Sequence, residues 1–186
     1  MYSILFKTAW ATLRQFGDNP EHLGAKLGMV AILHTWGQNL SLHPHLHCIV
    51  PAGGVTSSGC WKSTKSHGNF LFDVKAMSKV YRAKFVSEMR KRITDIPQTL
   101  YDKLFAKPWV VYAKRPFGHP KHVVEYLGRY SHKIAISNHR ILGIDKERSK
   151  VTFSMKDYGK AGKKTTMILG TNEFIRRFSL HNKRVV

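Results

Sequence analysis

The chain has 186 residues, a length that suits one domain or one with a small extension. Its apolar share of 42% and aromatic share of 11% exclude a disordered tail, and 31 Lys and Arg against 11 Asp and Glu leave a net charge of +20. Such an excess repels itself unless a polyanion neutralises it, so nucleic acid is the first expected partner and an anionic membrane surface the second. The few, scattered carboxylates exclude a two-metal nuclease built on Asp and Glu.

In chain order, residues 3–16 carry apolar side chains at helical spacing (Ile4, Leu5, Ala9, Leu13, Phe16), and the helix is expected to stop at Gly17. Residues 18–20 (DNP) make a turn, and 21–26 one short helical turn. Residues 27–36 (LGMVAILHTW) form a continuous apolar run that reads as a buried strand. A loop over 37–42 leads to a second strand at 45–51 (HLHCIVP), closed by a tight turn at Ala52, Gly53 and Gly54. These two strands are expected to pair antiparallel. Residues 55–69 read as an exposed basic loop or hairpin, and 70–72 as a short strand. Asp73 is placed to cap a long helix over 75–92, whose outer face carries Lys79, Arg82, Lys84 and Arg90 to Arg92. A shorter helix follows at 97–105, then a strand at 109–114. Residues 120–131 make a helix with Pro120 in its first turn. Strands are expected at 134–137, 140–144, 150–155 and 165–169, with turns at 145–149 and 158–164, and a last helix at 171–181 capped by Thr171 with Glu173 nearby. Helices and strands do not alternate regularly, so the fold class is α+β, with a central, largely antiparallel sheet flanked by helices and one domain over 1–186.

No window of 18 apolar residues exists, so no membrane span is expected. The first residues lack a long apolar stretch and a small-residue cleavage site, so no signal peptide is expected either. Cys48 and Cys60 form no C-x-x-C, which speaks against a zinc finger or a disulfide framework and makes the cytoplasm the simplest location.

Histidine is over-represented, with eleven in all and three in five positions at His43, His45 and His47. On a strand, residues two apart share a face, so His45 and His47 present neighbouring imidazoles. His34 stands in the preceding strand and lies across from them if the two pair. Three imidazoles without a carboxylate leave positions open for a substrate oxygen, as a catalytic metal site requires. The competing reading is a hydrogen-bonded core histidine at 34 and a solvated edge at 43–47. His43 precedes Pro44 and is expected outside the strand. Gln38, in the intervening loop, contacts DNA or metal, or caps a turn.

Tyr126 and Tyr130 lie four apart, hence on one face of the 120–131 helix. Arg129, Lys133, Lys121, His122 and His132 surround them with positive charge. Two aromatics at this spacing are usually packing, here beside Val123, Leu127 and Ile134. Tyrosine, with a pKa near ~10, becomes a nucleophile toward a phosphodiester when cations stabilise the phenolate. A strand H-x-H and a helix Y-x-x-x-Y on so basic a chain describe a metal-assisted tyrosine nuclease. Its product is a 5′-phosphotyrosine that stores the bond energy for a second transfer.

The blocks HTWGQNLSLHPHLHCIVPAGG (34–54) and VVEYLGRYSHKIAISNHRI (123–141) closely resemble the two signature blocks of the IS91-family transposases, two-tyrosine members of the HUH endonuclease superfamily. The tail KDYGKAGKKTTMILGTNEFIRRFSLH (156–181) is similar too, so the resemblance covers nearly the whole chain. It implies an RRM-like palm, metal ligation by His45 and His47, and catalysis by Tyr126 and Tyr130. His34 matches the family block, and its spacing resembles the third metal histidine of conjugative relaxases. It also implies Mg²⁺ or Mn²⁺, single-stranded DNA and transposon ends as partners, and a bacterial, nucleoid-associated protein of an insertion sequence. Family members normally carry a Cys-rich zinc-binding region before this domain; none precedes it here, so a catalytic portion is expected. Expected DNA contacts are Gln38, Lys62, Lys65, Arg129, Lys133, Lys160, Lys163 and Lys164, with Trp36, Trp61 and Tyr158 as stacking platforms. The alternatives are a relaxase or rolling-circle replication initiator of the same chemistry, a non-catalytic DNA-binding fragment, and a three-histidine zinc hydrolase with packing tyrosines.

Overall fold

A computed structural model describes residues 2–64, 71–131, 135–157 and 162–182. The class is α+β, with five α-helices among the described residues and strands paired in antiparallel fashion. Among the described residues the strands pair as three groups: β1 (Val30–Trp36) with β2 (Leu42–Ile49), β3 (Gly53–Val55) with β4 (Trp61–Ser63), and β5 (Ile141–Asp145), β6 (Lys150–Asp157) and β7 (Lys163–Gly170) in that order. The chain divides into two compact units, one formed by 1–31 with 46–123, the other by 32–45 with 124–186.

The first unit is built on helices. Helix α1 (Tyr2–Asp18) buries Ile4, Leu13 and Phe16. Its inward Thr8 and Thr12 satisfy their hydroxyls by donating to the carbonyls of Ile4 and Thr8 one turn back (2.6 and 2.7 Å). Helix α2 (Val74–Arg92) starts where Asp73 accepts the Ala76 N–H at 2.6 Å, as its N-cap position promised, and ends in Arg90, Lys91 and Arg92, which suit the helix dipole. Leu13, Phe16, Leu23, Ala25, Phe72 and Met77 form one core cluster; Ile4, Phe85 and Met89 form a second, against which Tyr101 and Leu104 of α3 (Gln98–Ala106) pack. Burying a side chain such as Phe85 contributes about 1.5–3 kcal/mol. Glu88 ion-pairs with Lys7 (2.9 Å), Arg92 (3.4 Å) and Lys91 (3.5 Å).

Several expectations change here. The expected strand at 109–114 has no ladder partner among the described residues: Trp109 is held by its indole N–H on the Leu104 carbonyl (2.9 Å) and by the Ser78 hydroxyl on its own carbonyl, while Val110 is 92% exposed. Residues 71–72 are a bend rather than a strand, and Phe70 lies outside the described residues. Gly53 and Gly54 are not a turn but open β3 (Gly53–Val55), which pairs with β4 (Trp61–Ser63) in the hairpin expected for 55–69. A Cβ on Gly53 would meet the Lys62 carbonyl oxygen at 2.5 Å, so only glycine lets these backbones approach.

The second unit holds the three-stranded sheet β5 (Ile141–Asp145), β6 (Lys150–Asp157) and β7 (Lys163–Gly170), followed by α5 (Thr171–Asn182). The β6-β7 register runs from Lys150↔Gly170 to Asp157↔Lys163. The strand expected at 134–137 is replaced over 135–136 by a bend, with Ile134 outside the described residues. Ala135 and Ile136 still enter the core, with Leu40 and Phe153. Helix α4 (Pro120–Ser131) stands as expected.

Candidate functional site

Strands β1 (Val30–Trp36) and β2 (Leu42–Ile49) are hydrogen-bonded neighbours joined by the short turn 37–41, so they form the antiparallel ribbon expected from the pattern. Two details differ from expectation. Strand β1 begins at Val30 and is half-buried rather than buried, because a two-stranded ribbon leaves its faces partly open. Strand β2 begins three residues early and includes His43 and Pro44; an edge position tolerates a proline that cannot donate to a ladder.

The ribbon brings His34, His45 and His47 together. Each offers one ring nitrogen, and the three lie within 4.8 Å of one another, all half-buried. The ring centroids of His34 and His45 are 5.1 Å apart, and His34 packs on Trp36 at 4.0 Å. His43 stands outside the trio but supports it: its carbonyl accepts from the His45 Nδ1–H at 2.7 Å. That bond puts the proton of a neutral His45 on Nδ1, the outer-shell arrangement that metal-ligating histidines use. Burial holds His45 below its ordinary pKa range, against the raising effect of that carbonyl, and the nearby His43 lowers it further. The neutral imidazole is the form that ligates. A divalent ion bonds imidazole nitrogen at about 2.0–2.1 Å, so three donors this close suit one ion after small side-chain rotations.

The turn itself is ordered by contacts that the sequence did not suggest. Asn39 Oδ1 accepts from the Ser41 N–H (3.0 Å) and hydroxyl (2.7 Å). Leu40 adopts φ 60° and is fully buried. Gln38 is half-buried, and its carbonyl accepts from Arg140 Nη2 at 2.6 Å; the Asn39 carbonyl accepts from Arg177 Nη1 at 3.0 Å. The turn-capping role weighed for Gln38 is thus played by its main chain. Glu173 holds both Arg176 and Arg177 at 2.6–2.8 Å, and these bonds pull its carboxyl down to about 2.

Tyr126 is half-buried on α4, and the backbone of Arg129 and Tyr130 continues the same helix. Lys62 is exposed on β4, beside Trp61 at 58% exposure. Lys163 and Lys164 are exposed at the start of β7, where Lys164 pairs with Lys156, so that end of the ladder is basic. Lys65, Lys133, Lys160, His132 and Tyr158 lie outside the described residues.

Within this α+β chain, three imidazoles converge on one β-ribbon in an arrangement that could hold a metal ion. The particular family follows from comparison: the model described as "Putative transposase" matches residues 28–183, and the chain belongs to that family, with the IS91-type transposases. It is 39% identical to "Putative transposase y4qJ" of Sinorhizobium fredii over 97% of this chain and 49% of that protein. It is 26% identical to the "Transposase for insertion sequence element IS801" of Pseudomonas savastanoi pv. phaseolicola over 76% of this chain and 38% of that protein. The chain therefore spans about half the length of these curated relatives, or less. No solved structure matches it. No helix among the described residues is long and apolar enough to cross a membrane.

Proposed function

We propose that this chain nicks and rejoins single-stranded DNA at transposon ends through a tyrosine, with a divalent ion held by His34, His45 and His47. The observation that carries the reading is the histidine trio, whose His45 is already oriented by the His43 carbonyl. Membership of a transposase family supplies the substrate class, and the net charge of +20 suits a polyanion.

In this reading Tyr126 or Tyr130 attacks the scissile phosphorus. The phenol oxygen forms the new P–O bond, the bond to the 3′ oxygen breaks, and the leaving strand takes up a proton as a 3′-OH. The tyrosine keeps the 5′-phosphate, and attack by another 3′-OH reverses the step without an outside energy source. Two tyrosines allow two strands to be held in turn. The bound ion supplies Lewis-acid polarisation of the phosphate and alignment. Mg²⁺ or Mn²⁺ is the proposed physiological ion, although three imidazoles bind Zn²⁺, Ni²⁺ or Co²⁺ more tightly. The exposed lysines at 62, 163 and 164 contribute phosphate contacts, together with Lys65, Arg129, Lys133 and Lys160.

The test is incubation with labelled single-stranded oligonucleotides and Mn²⁺, resolved on a denaturing gel. The expected result is a protein–DNA adduct that is lost with EDTA and in the Tyr126→Phe/Tyr130→Phe double variant. Cleavage that survives the double variant without an adduct would make water the nucleophile and overturn the reading. Salt-sensitive binding with no cleavage would leave a DNA-binding module.

A further inference from the structure

We infer that Arg140 and Arg177 are positioning residues of the histidine ribbon, which hold the β1-β2 turn in the one register that brings His34 to His45 and His47. The inference rests on the metal reading above.

The two arginines reach consecutive carbonyls of the turn, Arg140 that of Gln38 (2.6 Å) and Arg177 that of Asn39 (3.0 Å). Each is anchored at its other end. Arg140 Nε donates to the Ser154 carbonyl of β6 at 2.9 Å, and its guanidinium lies 6.0 Å from the centre of the Phe153 ring. Arg177 Nε donates to Glu173 Oε1 at 2.7 Å, one turn back on α5. The next residue, Leu40, drives its side chain into the core with Ala135, Ile136 and Phe153. The turn is thus fastened by two charged side chains and one apolar plug, all from this unit.

Such fastening answers a physical need. A two-stranded ribbon is marginally stable alone. A slip of one residue turns every side chain to the opposite face, which would separate His34 from His45 and His47. Charge-assisted bonds are roughly twice as strong as neutral ones, and a guanidinium, unlike a lysine ammonium, directs N–H groups at fixed angles toward two separate acceptors. These two arginines therefore serve the site through carbonyls and not through phosphate. They stand apart from the DNA-facing cations.

The experiment titrates Co²⁺ into the 186-residue chain and into Arg140→Lys and Arg177→Lys, following the visible absorption of the bound ion. Amide exchange at Gly37 and Leu40, whose N–H groups close the turn, is measured in parallel. Val86→Ala, a cavity in the buried face of α2, serves as a control that lowers stability without touching the ribbon. Each Arg→Lys variant is expected to bind Co²⁺ roughly 10–100-fold more weakly, the usual range for an outer-shell change, and to exchange faster at Gly37 and Leu40. Val86→Ala is expected to melt lower with affinity within about twofold of the parent. If one lysine variant does not fold, the other carries the test. Unchanged affinity in the lysine variants, or a loss no larger than that of Val86→Ala, overturns the inference while leaving the metal reading in place. A parent chain that binds no Co²⁺ overturns both.

Discussion

The histidine ribbon and helix α4 carry the two halves of the proposed chemistry, and they are held in opposite ways. The ribbon is short and half-exposed, yet its turn is fixed by two guanidiniums, an Asn39–Ser41 pair and a fully buried leucine. Helix α4 has strong local signals, with Pro120 in its first turn and apolar residues along one side, but none of its described side chains is fully buried and Val124 is 69% exposed. Precision in the ribbon comes from distant partners. In the helix the legible signals are local, Pro120 in the first turn and the apolar periodicity of the backbone. A metal site needs the first kind, because three nitrogens must meet within tenths of an ångström.

The sharpest way to break this contrast is to remove the plug. Leu40→Ala is expected to cost about 2–5 kcal/mol, as other buried leucine truncations do, and to weaken Co²⁺ binding alongside. Chemical denaturation with a Co²⁺ titration measures both. A loss below about 1 kcal/mol would mean that the ribbon does not depend on its core anchor.

The pH dependence sharpens the role of Arg177. Glu173 has its carboxyl lowered to about 2 by hydrogen bonds from Arg176 and Arg177, so its support is present above the ordinary carboxylate range near 4.5 and is lost as pH falls toward 2. Glu173→Gln should therefore melt below the parent at pH 6, and the gap should close between pH 4.5 and 2. Melting curves across that range decide it; a gap independent of pH would assign the effect to packing.

The smallest effect is expected on the helix. Val124→Ala on α4 should change stability by no more than about 0.5 kcal/mol, as for surface substitutions in general. A larger loss in a denaturant melt would show that α4 is fastened as firmly as the ribbon.

What the sequence made legible follows the same division. Helices α1 to α5 were readable because their signals are local: Asp73 before an apolar run, Pro120 at an N-terminus, i and i+4 spacing. The histidine trio was readable because the alternation of a strand and one short turn sufficed to bring residues 34, 45 and 47 together. The segment at 109–114 misled because its residues have strand character while the fold gives them a tryptophan anchor in place of a ladder. Strand content is local, but which strands join is decided across the whole chain, and among the described residues they pair as three separate antiparallel groups. Arg140 and Arg177 were invisible because their partners lie 102 and 138 residues away, and an arginine in so basic a chain carries no mark of its target.

The left-handed backbone at Leu40 has a consequence for variation at that position. The backbone favours glycine or asparagine there, since a side chain in this conformation costs roughly 1–2 kcal/mol. The surrounding core favours a large aliphatic group, whose burial returns about as much or more. Glycine would satisfy the first demand and leave a hole, asparagine would bury an amide among hydrocarbons, and valine or isoleucine would add β-branching to a strained φ. Unbranched or γ-branched aliphatics remain, leucine and methionine above all. A saturation library read out by folding should return a narrow alphabet at position 40 and a broad one at neighbouring Gln38, whose contribution runs through its carbonyl and is indifferent to its side chain.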